Sequence, residues 1–474
     1  MLSPRRILTL LLPVVAIVLL GSSAAHGQSS ESARPEVVVA DGQAGTSGVG
    51  ACTLVEALAT AVARHPLMQA ARENTAVFEA RLKAANLSWI PTAGLKSYVS
   101  ATPGKWGDAL KGGTDYEDWG PYLRVELSGY IPVYTFGKLS KLREMAGAGV
   151  DVGKAQEQIA RAQVERLVAQ AWYALELTSR LGPILEEGER YLARARTYLE
   201  KLRDEDSEEY DDVDMLRLKV YESEVAAQRL DLERTRELAL TGLQLLTGLD
   251  SERFLPPGKL TPVPADLGEL ATWLDQAFGS RGELLALDGL LRVQTARVSL
   301  EKRRFLPDLF VGAFYTWAKA WTVEQQGSPF AYDPYNSWYA GAGLGLKLDL
   351  DLAGRLGGLD EERANLRRFA AQREAMRQLV TLEVEKSWRE ARDLKTKLEL
   401  HRTAYKAARG WVIAKVDLYE AGLAPLRDLT DALSEFFKRR LAFEQGVMEY
   451  NLALATLVHA CGGRLEDILP AKVE

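Results

Sequence analysis

Most of this chain carries apolar residues at three- and four-residue spacing, but residues 337–350 alternate strictly. Alanine and leucine occupy the even positions from 340 to 350, while glycine, lysine and aspartate occupy the odd positions from 341 to 349. A period of two predicts a β-strand with one apolar face, and the glycines and charges predict water on the other face. Similar patterns predict strands at residues 92–101, 121–133 and 308–318.

The helical remainder of the chain is duplicated. Residues 53–250 predict the order helix, strand, aromatic loop, strand, very long helix, turn and long helix, and residues 269–468 predict the same order. A proline-rich joint at residues 251–268 separates the two repeats, and residues 469–474 form a C-terminal tail. An offset of 216 residues relates Ala80 to Ala296, Pro91 to Pro307, Trp172 to Trp388 and Asp212 to Asp428.

The first very long helix, at residues 137–203, would extend about 100 Å at about 1.5 Å per residue. Helices of that length are normally coiled coils. Gly182 and Pro183 predict a bend within it.

The N-terminal region predicts export. Arg5 and Arg6 precede a 14-residue apolar run and then small residues, so residues 1–27 are interpreted as a signal peptide and residues 28–52 as a loose leader. A membrane-spanning helix needs about 20 apolar residues, and no later segment approaches that length. Transmembrane helices are therefore not expected.

Tryptophan and tyrosine cluster at the predicted strand ends, as at the bilayer interfaces of an outer-membrane β-barrel. The alternative is a soluble hairpin with cross-strand aromatic pairs, but both repeats show the pattern. Four strands cannot close a barrel without leaving backbone groups unpaired in lipid, so several chains must contribute. The candidate interface residues are Trp106, Trp119, Trp317, Trp321, Trp338 and Tyr339.

Candidate chemistry is sparse. The net charge of −6 disfavours nucleic acid as a partner. The four histidines have no metal-ligand spacing, and no nucleophile or phosphate motif occurs, so we expect no catalytic residue, metal or cofactor and no enzyme. The two cysteines, Cys52 and Cys461, permit a disulfide in an oxidising compartment or are simply two small apolar residues.

The order of these segments resembles the TolC-like outer-membrane efflux proteins, the outer membrane factors. The resemblance rests on a helix that ends in proline before a strand, on aromatic hairpin loops, on the Gly-Lys or Gly-Arg pair that starts each very long helix, and on YEAGLAPLRDLTDA at residues 419–432. It implies a mainly α fold with a membrane β-barrel part. In that fold, three chains with four strands each form a twelve-stranded barrel that continues as a long periplasmic α-helical barrel.

The same resemblance implies an outer-membrane exit duct of a multi-component efflux or secretion system. Its implied partners are two further copies of the chain, outer-membrane lipid, a periplasmic adaptor (membrane fusion) protein and an inner-membrane transporter. The alternative class, a soluble periplasmic coiled-coil adaptor or scaffold, explains the helices but not the two aromatic hairpins.

The resemblance also implies where the periplasmic mouth lies. Tyr419, Gly422, Asp428 and Asp431 match the tyrosine, glycine and paired aspartates of the family's second helical turn. The family's latching arginine is replaced here by Ala424, and Arg427 is the candidate substitute.

The first helical turn carries eight acids among eleven residues, which we term the acidic collar. A charge run is usually a solvated face, but threefold repetition around a narrow mouth would create a strong negative potential. We predict that the collar concentrates cations or receives basic residues of the adaptor. Its members are Asp204, Glu205, Asp206, Glu208, Glu209, Asp211, Asp212 and Asp214.

Overall fold

The computed structural model describes residues 52–107, 111–207, 210–254, 261–328, 330–421 and 423–468. The expected signal peptide, nearly all of the leader and the C-terminal tail lie outside the described residues, as do Glu208, Glu209 and Gly422.

The element order of the second repeat matches that of the first, as the duplication predicted. The first repeat contains α1 (Leu54–Arg64), α2 (Pro66–Asn86), β1 (Thr92–Gly107), β2 (Gly112–Tyr134), α3 (Lys138–Asp204) and α4 (Asp212–Thr247). The second contains α5 (Leu270–Ser280), α6 (Gly282–Arg303), β3 (Asp308–Ala320), β4 (Ser337–Lys347), α7 (Leu352–Glu420) and α8 (Leu426–Ala460). Short 3₁₀ helices occupy Ser251–Arg253 and Leu465–Asp467.

The prediction of a single helix before the first strand of each repeat is wrong. Two helices lie there, α1 and α2 in the first repeat and α5 and α6 in the second. Pro66 forces the preceding residue out of the helical region, and His65 adopts ψ 134° while its Nδ1 accepts a hydrogen bond from the Leu67 N–H at 3.2 Å. Arg281, at the equivalent position, adopts ψ 121°. The glycine that follows it is required by packing, since a Cβ at Gly282 would lie 2.7 Å from Ile159 Cγ1 of α3.

The strand boundaries also differ from the expectation. β1 and β2 are longer than predicted because their pairing continues through a glycine-rich segment that has no alternation, with a register shift between Pro103 and Gly104. β4 ends at Lys347, so residues 348–350 lie beyond it. There the chain turns into α7, whose N-cap Asp351 accepts a hydrogen bond from the Gly354 N–H at 3.0 Å.

The two very long helices, α3 and α7, contain 67 and 69 residues and are each about 100 Å long. α3 continues through Gly182 and Pro183 without ending. α4 packs on α3 and α8 packs on α7, and these two helical hairpins meet where α3 contacts α8. None of the described helices has an apolar segment long enough to cross a bilayer.

The main core lies where the helices of both repeats converge. It includes Val164, Trp172, Leu243 and Leu454, all buried. The joint between the repeats is fixed to this core by Asn451, whose Oδ1 accepts from the Val263 N–H at 2.9 Å and whose Nδ2 donates to the Thr261 carbonyl at 3.0 Å. Cys52 and Cys461 are both buried in the core as separate thiols, so neither forms a disulfide.

Candidate functional sites at the strands and the helical tip

The four strands form one antiparallel sheet in the order β1-β2-β3-β4. Residues directly opposite each other share a face, so Leu95, Leu127, Tyr315 and Ala340 form one row across the sheet. A second row joins Ile131, Val311 and Leu344. These rows make one face of the sheet apolar, and Leu344 on it is 86% exposed.

The opposite face is polar. Lys96, Glu126 and Thr316 lie in one row, and Arg124 pairs with Glu126 at 2.6 Å. The glycines of β4 on this face are partly covered by aromatic rings of β3. A Cβ at Gly345 or Gly341 would lie 2.3 or 2.6 Å from the ring of Phe310 or Phe314, respectively.

The candidate interface aromatics fall into two groups. Trp317 and Trp338 are opposite each other on the apolar face, at the ends of β3 and β4 that lie away from the helices. Trp106, Trp119 and Trp321 are exposed near the same end of the sheet.

Tyr339 does not belong with the apolar-face aromatics. It is opposite Thr316, in the row of Glu126, and its ring packs edge-on against Phe314 at 6.1 Å. The pleat of the strand explains this position, because consecutive residues of a strand point to opposite faces. Trp338 and Tyr339 cannot both face the same side.

The predicted mouth residues occupy the end of the α7–α8 hairpin. Tyr419 is in the last turn of α7, Asp428 is in the first turn of α8, and Asp431 lies one turn further on. Acidic side chains are stabilised at this position by the positive end of the helix dipole.

Each aspartate of the mouth contacts a neighbour that the sequence did not reveal. Asp428 accepts a hydrogen bond from Lys415 Nζ of α7 at 2.6 Å. Asp431 accepts one from the Tyr221 hydroxyl of α4 at 3.4 Å. Arg217 Nη1 lies 4.0 Å from Asp431 and 3.7 Å from Asp214, which makes ion pairs without a direct hydrogen bond.

Arg217 and Tyr221 therefore connect the end of one helical hairpin to that of the other. The sequence shows that these two residues share one face of α4, because they are four residues apart. It does not show that this face contacts α8, because that contact depends on how the two helical hairpins pack. Arg427, the candidate latch, instead lines an apolar cavity of about 120 Å³ between α3, α4 and α8.

The described acids of the collar are partly paired within their own turn. Asp204 contacts Arg203 at 3.2 Å, and Glu205 contacts Lys201 at 3.7 Å. Asp211 caps α4 by accepting a hydrogen bond from the Val213 N–H at 2.8 Å. Such exposed pairs contribute at most about 1 kcal/mol each, but they lower the net negative charge of the turn.

Two titratable groups are perturbed by burial in the helical region. Burial raises the pKa of Glu176 on α3 to about 7, opposed by the nearby Arg180. Burial, together with Arg281 and Arg166, lowers the pKa of His459 on α8 to about 4. The histidines of the described chain, His65, His401 and His459, lie on different helices or caps and do not form one site.

The chain thus combines an open sheet that has one apolar face with helices of about 100 Å, and an open sheet edge is not tolerated in lipid. Residues 273–463 match the model of a family described as outer membrane efflux protein. This match confirms the resemblance to the TolC-like efflux proteins, with the outer-membrane location and exit-duct function implied by it. No curated protein sequence matches the chain.

Solved channels share the fold over nearly the whole chain. The outer-membrane channel OprN superposes with a TM-score of 0.69 at 17% identity, covering 87% of this chain and 90% of its own. The outer membrane protein VceC of Vibrio cholerae gives 0.69 at 18% identity, covering 87% and 96%. The open state of the MtrE channel of Neisseria gonorrhoeae gives 0.64 at 16% identity, covering 92% and 98%. These matches confirm the predicted fold class.

Proposed function

We propose that three copies of this chain assemble into an outer-membrane duct in which the four-stranded sheets close one barrel. The observation that carries the proposal is an open sheet with a largely apolar face and two edge strands, β1 and β4, that each pair with only one other strand within the described chain. Unpaired strand edges are not tolerated in lipid. Pairing β4 of one copy with β1 of the next removes every edge.

The helices support the same assembly. α4 lies at one side of the helical hairpins and carries an exposed apolar stripe that includes Leu216, Val220, Leu230 and Leu238. α7 lies at the other side and exposes Trp411 and Leu418. Contact between the α4 stripe of one copy and the α7 stripe of its neighbour would bury both and continue the duct as a helical tube.

The mouth of this tube is proposed to be closed by Asp428 and Asp431 of each copy. Lys415 holds Asp428, and Arg217 with Tyr221 holds Asp431, so the two helical hairpins of a protomer stay together at their ends. A periplasmic adaptor that bears basic residues would dock on the acidic collar and compete for these contacts. The adaptor in turn would connect the duct to an inner-membrane transporter.

The assembly is tested on protein extracted from outer membranes. We expect an oligomer of three chains that migrates as a trimer in detergent, converts to monomer on heating and forms pores in planar bilayers. A monomer that stays soluble and folded without detergent would overturn the proposal. It would favour the soluble periplasmic coiled-coil protein instead.

A further inference from the structure

The loop between β3 and β4 folds over the sheet rather than extending away from it. We refer to residues 321–328 and 330–336 as the strap. Thr322 lies directly over Gly120 of β2, where an added Cβ would be 2.2 Å from Thr322 Cγ2. The Tyr122 hydroxyl donates to the Pro334 carbonyl at 3.4 Å, and the Tyr122 and Tyr335 rings pack edge-on at 5.8 Å.

These contacts lie on the polar face of the sheet. Tyr122 is two residues from Arg124 on β2, so both side chains point to the same side. Tyr332 of the strap also packs against Tyr339, which belongs to that face, with ring centroids 6.5 Å apart. In the proposed trimer, the polar face lines the lumen.

Hydrogen bonds connect the strap to the end of the β1–β2 hairpin that lies away from the helices. The Lys105 N–H donates to the Thr322 carbonyl at 3.2 Å, and the Lys105 carbonyl accepts from the Glu324 N–H at 2.8 Å. Lys105 Nζ donates to the Tyr335 hydroxyl at 2.7 Å and lies 4.4 Å from the centroid of that ring. Glu324 Oε2 accepts from the Gly107 N–H at 3.1 Å.

The strap also has an ordered interior. Asp333 accepts hydrogen bonds from the N–H groups of Gln326, Tyr335 and Asn336 at 3.0, 2.8 and 2.9 Å. Asn336 Nδ2 donates to the Val323 carbonyl at 3.0 Å. The strap is therefore held in one conformation by its own contacts and by both strands of the first hairpin.

We propose that the strap reaches over the lumen at the outer end of the barrel and makes the exit a size filter. This inference rests on the proposed function, because the lumen exists only in the trimer. Three straps, one from each copy, would narrow the exit for large solutes while small solutes pass. The side chains of Lys105 and Glu324 make two of the contacts that hold the strap, so the width of the exit should increase when both are removed.

The test measures access from outside the cell to a cysteine placed below the strap. Ser128 is exposed on the polar face, in the row of Phe314 and Gly341, so Ser128→Cys is a small change. Intact cells are treated with either a small methanethiosulfonate or a maleimide on a long polyethylene glycol chain. The parent protein gives the background, because its two thiols are buried.

With the strap intact, we expect fast labelling by the small reagent and slow labelling by the large one. Lys105→Met with Glu324→Ala, and independently Gly120→Ala, should raise labelling by the large reagent about tenfold, which corresponds to about 1.4 kcal/mol. Matched controls are Phe330→Ala, whose side chain is 98% exposed in the same loop, and Gly343→Ala, whose added Cβ would contact nothing within 4 Å. Both controls should leave the rates unchanged.

The outcomes separate the two proposals. Equal labelling by both reagents with the strap intact, or unchanged rates in both strap variants, would overturn the size filter while leaving the duct in place. Failure of the small reagent to label Ser128→Cys in a trimer would show that the polar face does not line the lumen. That result would also contradict the proposed barrel.

Discussion

At the scale of single residues, the sequence of β4 predicts which face each side chain lies on but not which residues of β3 it contacts. The alternation predicted the two faces correctly, because side-chain direction depends only on position along the strand. It did not predict that Phe310 and Phe314 cover Gly345 and Gly341, since that depends on the register between β3 and β4. The same limit explains Tyr339, whose residue type suggested the membrane interface although its position places it on the polar face.

A pair of arginine substitutions distinguishes the two faces. Leu344→Arg should destabilise the assembled barrel by about 2 to 4 kcal/mol, because the charge would enter lipid near the bilayer centre. Gly343→Arg is the matched control, since its side chain would point into water and its Cβ has no neighbour within 4 Å. The measurement is the fraction of heat-modifiable trimer in membranes. Equal loss of trimer in both variants would contradict the assignment of the two faces, and a greater loss in Gly343→Arg would mean that they are reversed.

Glu176 predicts a pH dependence of stability. Its pKa is raised by burial to about 7, so the folded state binds more protons than the unfolded chain between about pH 4.5 and 7. This contribution to stability is fully present below about pH 4.5 and is lost as the pH rises through 7; it amounts to at most about 3 kcal/mol.

The corresponding experiment compares thermal unfolding of the wild type and Glu176→Gln in detergent at pH 5 and pH 8. The wild type should lose more stability than the variant on going to pH 8, because glutamine never carries the buried charge. Glu186→Gln serves as a control with the same chemical change at an exposed site on α3. The same pH dependence in wild type and Glu176→Gln would exclude Glu176 as its source.

At the scale of whole elements, helix and strand order followed from the sequence, while contacts between elements did not. The duplication and the periodicity predicted both hairpins of very long helices. The contact of Arg217 and Tyr221 with Asp431 joins residues 210 to 214 positions apart, and no local pattern marks it. The breaks at His65 and Arg281 were locally visible only in the first repeat, where Pro66 follows the break.

The contact of Arg217 and Tyr221 on α4 with Asp431 on α8 should resist opening of the mouth. Arg217→Ala with Tyr221→Phe removes from every protomer the one ion pair and the one hydrogen bond that α4 makes with Asp431, each worth about 1 kcal/mol, and also the ion pair of Arg217 with Asp214 in α4 itself. We expect a several-fold rise in single-channel conductance or in the time spent open. Arg229→Ala is the control, because it breaks a 2.6 Å ion pair with Glu189 inside one hairpin.

Two results would change which residues are assigned to the closing of the mouth. Unchanged conductance of the Arg217/Tyr221 variant would remove this contact from the gate. A rise on Arg427→Ala alone would assign the latch to Arg427 through a neighbouring copy, since within its own chain Arg427 only lines the cavity between α3, α4 and α8.

At the scale of the whole molecule, the sequence indicated several chains because four strands cannot close. It also predicted a strongly negative mouth. In the structure, basic side chains beside the carboxylates make the local charge less negative than expected. Lys415, Arg217 and the bases beside the collar lie close to the predicted carboxylates. Charge counted along one turn therefore overstates the potential that three copies would create.

Ion flow through the assembled pore tests the mouth. The wild type should favour cations, and a divalent cation on the periplasmic side should lower its conductance by binding the aspartates. Asp428→Asn with Asp431→Asn removes the carboxylate partner of Lys415 and leaves Arg217 with Asp214 only, so selectivity should shift toward anions and the divalent block should disappear. Neutralising the collar instead, with Asp204→Asn, Glu205→Gln and Asp206→Asn, should keep the block but weaken adaptor binding, most clearly at low salt. Planar-bilayer recordings of the three proteins with and without the divalent cation decide the matter, and an undiminished block in the double asparagine variant would place the constriction elsewhere.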